Sequence, residues 1–246
     1  QQILSELLLF RAEHPEFYRE LTPYSPVATL FSPRIRDYQG TPVLPRHQEA
    51  VHRAGYPVRG LSAMHLDQES LAEIDYLLAE HVMALDDAAV KLLQQWIHDG
   101  GSLIGTDDIA AYNAIGVLRA APPEPLREAM ITTATTEDFV DTLTSLEVPN
   151  FRGLFNEGND RFVEKCVYNK ADGSIVLHLI NHGSTIDTSW KLSVPNAIPL
   201  ENKAVQAFLP GGKAGGTALA CEQTGNGCLL TMPPMDAYAV ILISED

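Results

Sequence analysis

Between Ile74 and Asp108 the chain reads in order as an apolar run, a loop, a helical pattern, a glycine pair and a second apolar run. Ile74 to Ala79 contains no turn residue, as a strand covered on both faces requires. Leu85, Ala89, Leu92, Leu93, Trp96 and Ile97 then recur at helical spacing, while Asp87, Lys91, Gln94, Gln95 and His98 fall on the opposite side. Asp86 is placed to cap the first turn and Asp87 to complement the helix dipole. Gly100 supplies a left-handed stop, and Ser102 to Thr106 resumes as a strand. Two strands joined through one helix are parallel with a right-handed crossover, so this stretch commits the chain to an α/β layer.

The flanking sequence extends that layer. Ile3 to Leu21 has helical periodicity interrupted at His14-Pro15, and Tyr24-Ser25-Pro26 ends it. Val27 to Phe31 is a candidate first strand, residues 34–45 an irregular loop, Arg46 to Ala54 a helix stopped by Gly55, and Tyr56 to Leu61 a second strand. Strands alternating with helices predict a mostly parallel, doubly wound sheet. Beyond the proline-rich stretch at 122–125, a helix is expected over Glu137 to Leu146. After residue 159 the period becomes that of strands: 162–168, 175–181, 190–194, 204–209, 219–223, 228–232 and 237–243, with Asp172-Gly173 as a hairpin turn. Seven strands in so short a span predict an immunoglobulin-like β-sandwich. The expected organisation is a helix over 1–22, an α/β domain over 23–159 and a sandwich over 160–246.

Charge and composition remove several functions. Seventeen basic against thirty-two acidic residues give a net charge of −15 over 246 residues, which repels phosphate backbones and anionic membrane surfaces. No apolar run approaches the ~20 residues of a membrane helix. The opening Gln1-Gln2-Ile3-Leu4 has neither an initiator Met nor signal-peptide features, which predicts an excised piece of a longer protein and leaves the compartment unread. Cys166, Cys221 and Cys228 lack zinc-ligand spacing. Cys221 and Cys228 flank Thr224-Gly225-Asn226-Gly227, a hairpin turn that could set them opposite each other; two unbridged thiols are the simpler expectation, since many cross-strand pairs lack bridge geometry.

The succession Val27-Ala28-Thr29-Leu30-Phe31-Ser32, Asp75-Tyr76-Leu77-Leu78, Leu85-Asp86-Asp87 and Trp96-Ile97-His98-Asp99-Gly100-Gly101-Ser102-Leu103-Ile104 resembles the trimerisation domain of glycoside hydrolase family 42 β-galactosidases. Residues 175–182 and 235–242 look like strands of the small sandwich that follows it there. The resemblance implies a class I glutamine amidotransferase-like, flavodoxin-like fold after a catalytic (β/α)₈ barrel. It also implies self-association, a carbohydrate substrate of the parent enzyme, a retaining mechanism supplied by the barrel, and residues 1–22 as the barrel's last helix.

The amidotransferase-like fold offers a test of chemistry, because active members carry a nucleophilic Cys at the turn after the second strand of this crossover. Here that turn is Gly105-Thr106-Asp107-Asp108, with Asp107 at the matching position and no Cys before Cys166. Thiolate chemistry is therefore excluded there, and Asp107 and Asp108 are expected to cap a helix from Ile109. Glycoside hydrolysis needs two opposed carboxyl groups, and a barrel alone takes ~250 residues, so the catalytic pair is expected in sequence outside this chain. The competing expectation is a self-sufficient hydrolase using Asp107, Asp108, Glu80 and His81 at the carboxyl edge of the sheet, where doubly wound folds place ligands. The histidines form no HxxxH or HExxH pattern, so neither metal nor cofactor is expected. A further possibility is carbohydrate binding by Trp190, Tyr168 and Tyr238, if they share one sandwich face. The glycines at 211–216 lack the context of a phosphate loop and predict a hairpin loop.

Overall fold

The computed structural model describes residues 2–32, 46–121, 123–155, 162–213, 215–225 and 227–245. The loop expected at 34–45 lies outside them. In chain order the described elements begin with α1 (Gln2–Glu13), β1 (Leu21–Pro23), β2 (Val27–Phe31), α2 (Arg46–Arg53), β3 (Val58–Ser62) and α3 (Gln68–Leu71). Next come β4 (Tyr76–Ala79), α4 (Asp87–His98), β5 (Ser102–Gly105), α5 (Glu124–Glu128), β6 (Ile131–Thr132) and α6 (Thr136–Ser145). Then follow β7 (Arg152–Leu154), β8 (Val163–Lys170), β9 (Ile175–Asn181), β10 (Trp190–Pro195) and β11 (Lys203–Phe208). The last are β12 (Thr217–Ala218), β13 (Cys221–Thr224), β14 (Gly227–Met232) and β15 (Tyr238–Glu245). Two compact units divide the chain: residues 25–51 with 58–148, and residues 1–24 with 52–57 and 149–246.

The first unit is the α/β layer. Its five strands lie in the order β3-β2-β4-β5-β6, and every neighbouring pair is parallel. The central strands bury nearly every side chain, with Val27, Ala28, Leu30, Leu77, Leu78, Leu103 and Ile104 all fully inaccessible, as a sheet covered on both faces demands. Helix α4 runs as its periodicity predicts. Asp86 accepts the Ala89 amide at 2.7 Å, and Ala89, Val90 and Leu93 are buried. At its far end Gly100 adopts φ +109°, and Gly101 lies so close to Trp96 that a Cβ there would sit 2.2 Å from the indole. Helix α6 starts with a reciprocal cap, Thr135 accepting from the Asp138 amide and Asp138 from that of Thr135.

The second unit is antiparallel throughout. One sheet runs β1-β8-β9-β15-β11-β12 and the other β13-β14-β10-β7. Both contribute to one core, with Val163, Val167, Leu177 and Leu179 from the first and Trp190, Leu192, Val194, Leu230 and Met232 from the second. This unit takes in residues from Pro149 onward, ahead of the boundary expected near 159, because β7 pairs with β10. Residues 1–24 also belong to it: Phe10 and Phe17 pack with Val176, Phe208 and Val240, and β1 pairs with β8. Cys221 and Cys228, expected as free thiols, are joined as a disulfide across the β13–β14 hairpin with Cα atoms 6.0 Å apart. The turn brings the two strands within the Cα separation a bridge requires.

Candidate functional site

At the carboxyl ends of β4 and β5 the sequence places Glu80-His81 and Thr106-Asp107-Asp108, and the fold divides these residues between two arrangements. Glu80 turns inward. Its Oε2 lies 2.9 Å from His47 Nδ1 and accepts the His47 amide at 3.3 Å. His47 on α2 is fully buried, stacks on Phe139 with ring centroids 4.5 Å apart, and sets Nε2 3.3 Å from Thr29 Oγ1 on β2. A carboxylate can only accept, so Nδ1 carries the proton and Thr29 meets the other ring nitrogen. Hydroxyl, imidazole and carboxylate are thus aligned, but with their polar atoms turned on one another and away from solvent.

His81 turns outward at φ +52°. Its amide donates to Thr106 Oγ1 at 2.8 Å, the Thr106 hydroxyl donates to Asp108 Oδ1 at 2.6 Å, and Asp108 Oδ2 lies 2.8 Å from His81 Nδ1. This pair is accessible, His81 being 54% and Asp108 30% exposed. The structure therefore joins His81 to Asp108, sends Glu80 to His47, and leaves Asp107 exposed. No helix starts at Ile109, contrary to expectation: the chain makes turns, with the Ile109 amide donating to Thr106 O and the Ala111 amide to Asp108 O. The Asp108 carboxylate, already engaged by Thr106 and His81, does not cap. Asp107 is also absent from the non-glycine residues at positive φ, which here include His81 and Ala110, so the matched position lacks the strain of a nucleophile turn.

Thr29, His47 and Thr106 complete these arrangements and escape a sequence reading that searches for local motifs. His47 leaves one usable signal: it stands four residues before buried Val51 on α2, on the same helical face. Among the described residues, no three His, Cys, Asp or Glu side chains converge to hold a metal ion.

The aromatics considered for sugar stacking do not share a free face. Trp190 is 2% exposed and stacks on Phe155 inside the sandwich core. Tyr238 and Tyr168 instead surround His178, Tyr168 edge-on at 5.3 Å. The His178 Nε2 faces Phe17 O at 3.0 Å and so donates; Nδ1 then accepts from the Tyr238 hydroxyl, which in turn accepts from Tyr18 at 3.0 Å. Burial pushes the His178 pKa below its ordinary value and the Tyr238 pKa above.

No family profile matches the sequence, and no curated protein matches it. Solved structures do resemble its fold. A beta-galactosidase from Bacillus circulans sp. alkalophilus superposes with a TM-score of 0.58 at 9% identity, over 96% of this chain and 43% of that one. Gan42B, a GH42 beta-galactosidase from G. stearothermophilus, gives 0.55 at 10% identity, over 90% of this chain and 40% of that one. A rhamnosidase from Novosphingobium sp. PP1Y gives 0.57 at 10% identity, over 90% of this chain and 22% of that one. The chain spans less than half the length of each of these three proteins. An α/β layer with a parallel sheet, combined with antiparallel sheets, is thus a fold this chain has in common with part of GH42 β-galactosidases and related glycoside hydrolases.

Proposed function

We propose that this chain is a non-catalytic accessory and oligomerisation region of a glycoside hydrolase of β-galactosidase-like carbohydrate metabolism. Its α/β unit would be amidotransferase-like and organise contacts between copies, as in a trimer. Its sandwich would be immunoglobulin-like, and a barrel elsewhere in the longer protein would hydrolyse the glycosidic bond. The observation that carries this reading is the pattern of likeness: nearly all of this chain superposes on a minor part of several glycoside hydrolases. Two features of the molecule support it. The carboxyl edge of the sheet satisfies Glu80 and His47 internally. Helix α1, seated on the sandwich through Phe10, leaves Leu4, Leu8 and Leu9 at 63%, 60% and 59% exposure, a row suited to further protein.

The test is direct. The purified chain is expected to release no nitrophenol from nitrophenyl glycosides above the uncatalysed rate, and to sediment as an oligomer whose population rises with concentration. The competing reading, a self-sufficient hydrolase at Asp107, Asp108, Glu80 and His81, draws on the exposed His81–Asp108 contact. Turnover that disappears when one of these carboxylates is replaced would establish that alternative.

A further inference from the structure

The α/β unit has a cleft at the end of the sheet opposite Glu80 and His81. It encloses about 420 Å³ where the chain enters β4 and β5, within the range of roughly 300–1,000 Å³ usual for small-molecule clefts. Trp96 from α4 forms part of the lining, with Leu71 beside it, and Gln68, Asp75, Gln95 and Asp99 supply polar groups. The indole is fixed before any ligand arrives. Its Nε1 donates to Ile74 O at 3.2 Å, and the Gly101 backbone lies against the ring so closely that no Cβ fits. Gln95 and Asp99 are likewise held, the Gln95 amide donating to Asp99 Oδ1 at 2.9 Å. Each keeps hydrogen-bonding capacity beyond that bond.

The lining narrows the ligand class. It holds two carboxylates and no Lys, Arg or His, which disfavours phosphates, sulfates and carboxylates. A wholly apolar ligand would strip water from four polar side chains without replacing their hydrogen bonds. A neutral ring with one apolar face and several hydroxyls satisfies both halves of the lining, its C–H face meeting indole and aliphatic carbon and its hydroxyls meeting amide and carboxylate. We infer that the cleft lined by Trp96, Gln68, Gln95, Asp75 and Asp99 is a binding site for a neutral saccharide. This goes beyond the accessory role and does not depend on it, because it concerns binding without hydrolysis. Fixing the indole and the Gln95–Asp99 pair in advance lowers the ordering cost of association.

The experiment is titration of the chain with galactose, lactose, cellobiose and maltose, followed by tryptophan emission and by calorimetry. Trp190 is buried in the sandwich and serves as an internal constant. A saturable emission change with half-saturation in the millimolar range is expected for at least one saccharide. Gln68→Ala and Asp99→Ala should each weaken it about fivefold, the scale of one lost hydrogen bond, with the thermal transition unchanged. Trp96→Phe should remove the emission change while calorimetry still detects weakened binding. Absence of saturable heat or emission with all four sugars would overturn the inference, as would binding unaltered by Gln68→Ala and Asp99→Ala. Saturation by choline with none by saccharides would also overturn it, in favour of an organic cation on the indole. Turnover of nitrophenyl glycosides bears on the accessory reading alone.

Discussion

At the carboxyl end of the parallel sheet the polar side chains satisfy one another, Glu80 with His47, His47 with Thr29, and Asp108 with Thr106 and His81. At the amino end Gln68, Asp75, Gln95 and Asp99 border a cleft beside a fixed indole. Open parallel sheets ordinarily bind ligands at their carboxyl end. Among the described residues, the inner row at the usual end is taken up by its own hydrogen bonds, and a cleft lies at the opposite end. The difference teaches that polar residues at a sheet edge do not by themselves mark a reaction centre; what matters is whether their hydrogen bonds are already taken.

Substitutions can break or sharpen this contrast. Glu80→Ala should have the largest effect, a loss of about 2–3 kcal/mol, because it strips a buried imidazole of its charged partner; chemical denaturation reads it, and a loss below about 0.5 kcal/mol would refute an internal structural role. Helix α4 links the two ends, and Asp86→Ala should cost about 1 kcal/mol through the lost cap. His81→Ala should cost less than about 1 kcal/mol, since its pair with Asp108 is solvated. A cost near that of Glu80→Ala would erase the distinction between the inner and outer rows. Gln68→Ala, on an exposed residue at the cleft, should leave stability within about 0.5 kcal/mol.

A second buried imidazole extends the comparison into the sandwich. His47 faces a carboxylate, whereas His178 faces a phenol and a carbonyl, and burial lowers the His178 pKa. As pH falls through about 6.5 the unfolded chain takes up this proton first, so stability falls from there down to the lower folded pKa. His178→Gln should flatten that part of a melting-temperature profile. An unchanged acid limb would assign the dependence to other groups.

Much of the fold was legible because it rests on local period. The runs 27–31 and 175–181 match their strands residue for residue, and Asp86 and Gly100 bound α4 as their types require. The edge strands β1, β7 and β12 were not legible, since two or three residues cannot display a period. The candidate site was legible as a location and not as a constellation. Glu80 meets His47 across 33 residues, and no local pattern encodes such a pairing. Asp107 and Asp108 read as caps because capping is local, while Asp108 is in fact engaged by Thr106 and by His81 from another strand end. Trp96 read as core, and it is packed against the core while also lining the cleft.

The measurement that bears most directly on the account is nitrophenyl β-galactoside hydrolysis by the purified chain, beside its Glu80→Ala and Asp108→Ala variants. No release above the uncatalysed rate in any of the three is the predicted result. Release by the unaltered chain that is lost in either variant would contradict it and make the carboxyl edge a reaction centre.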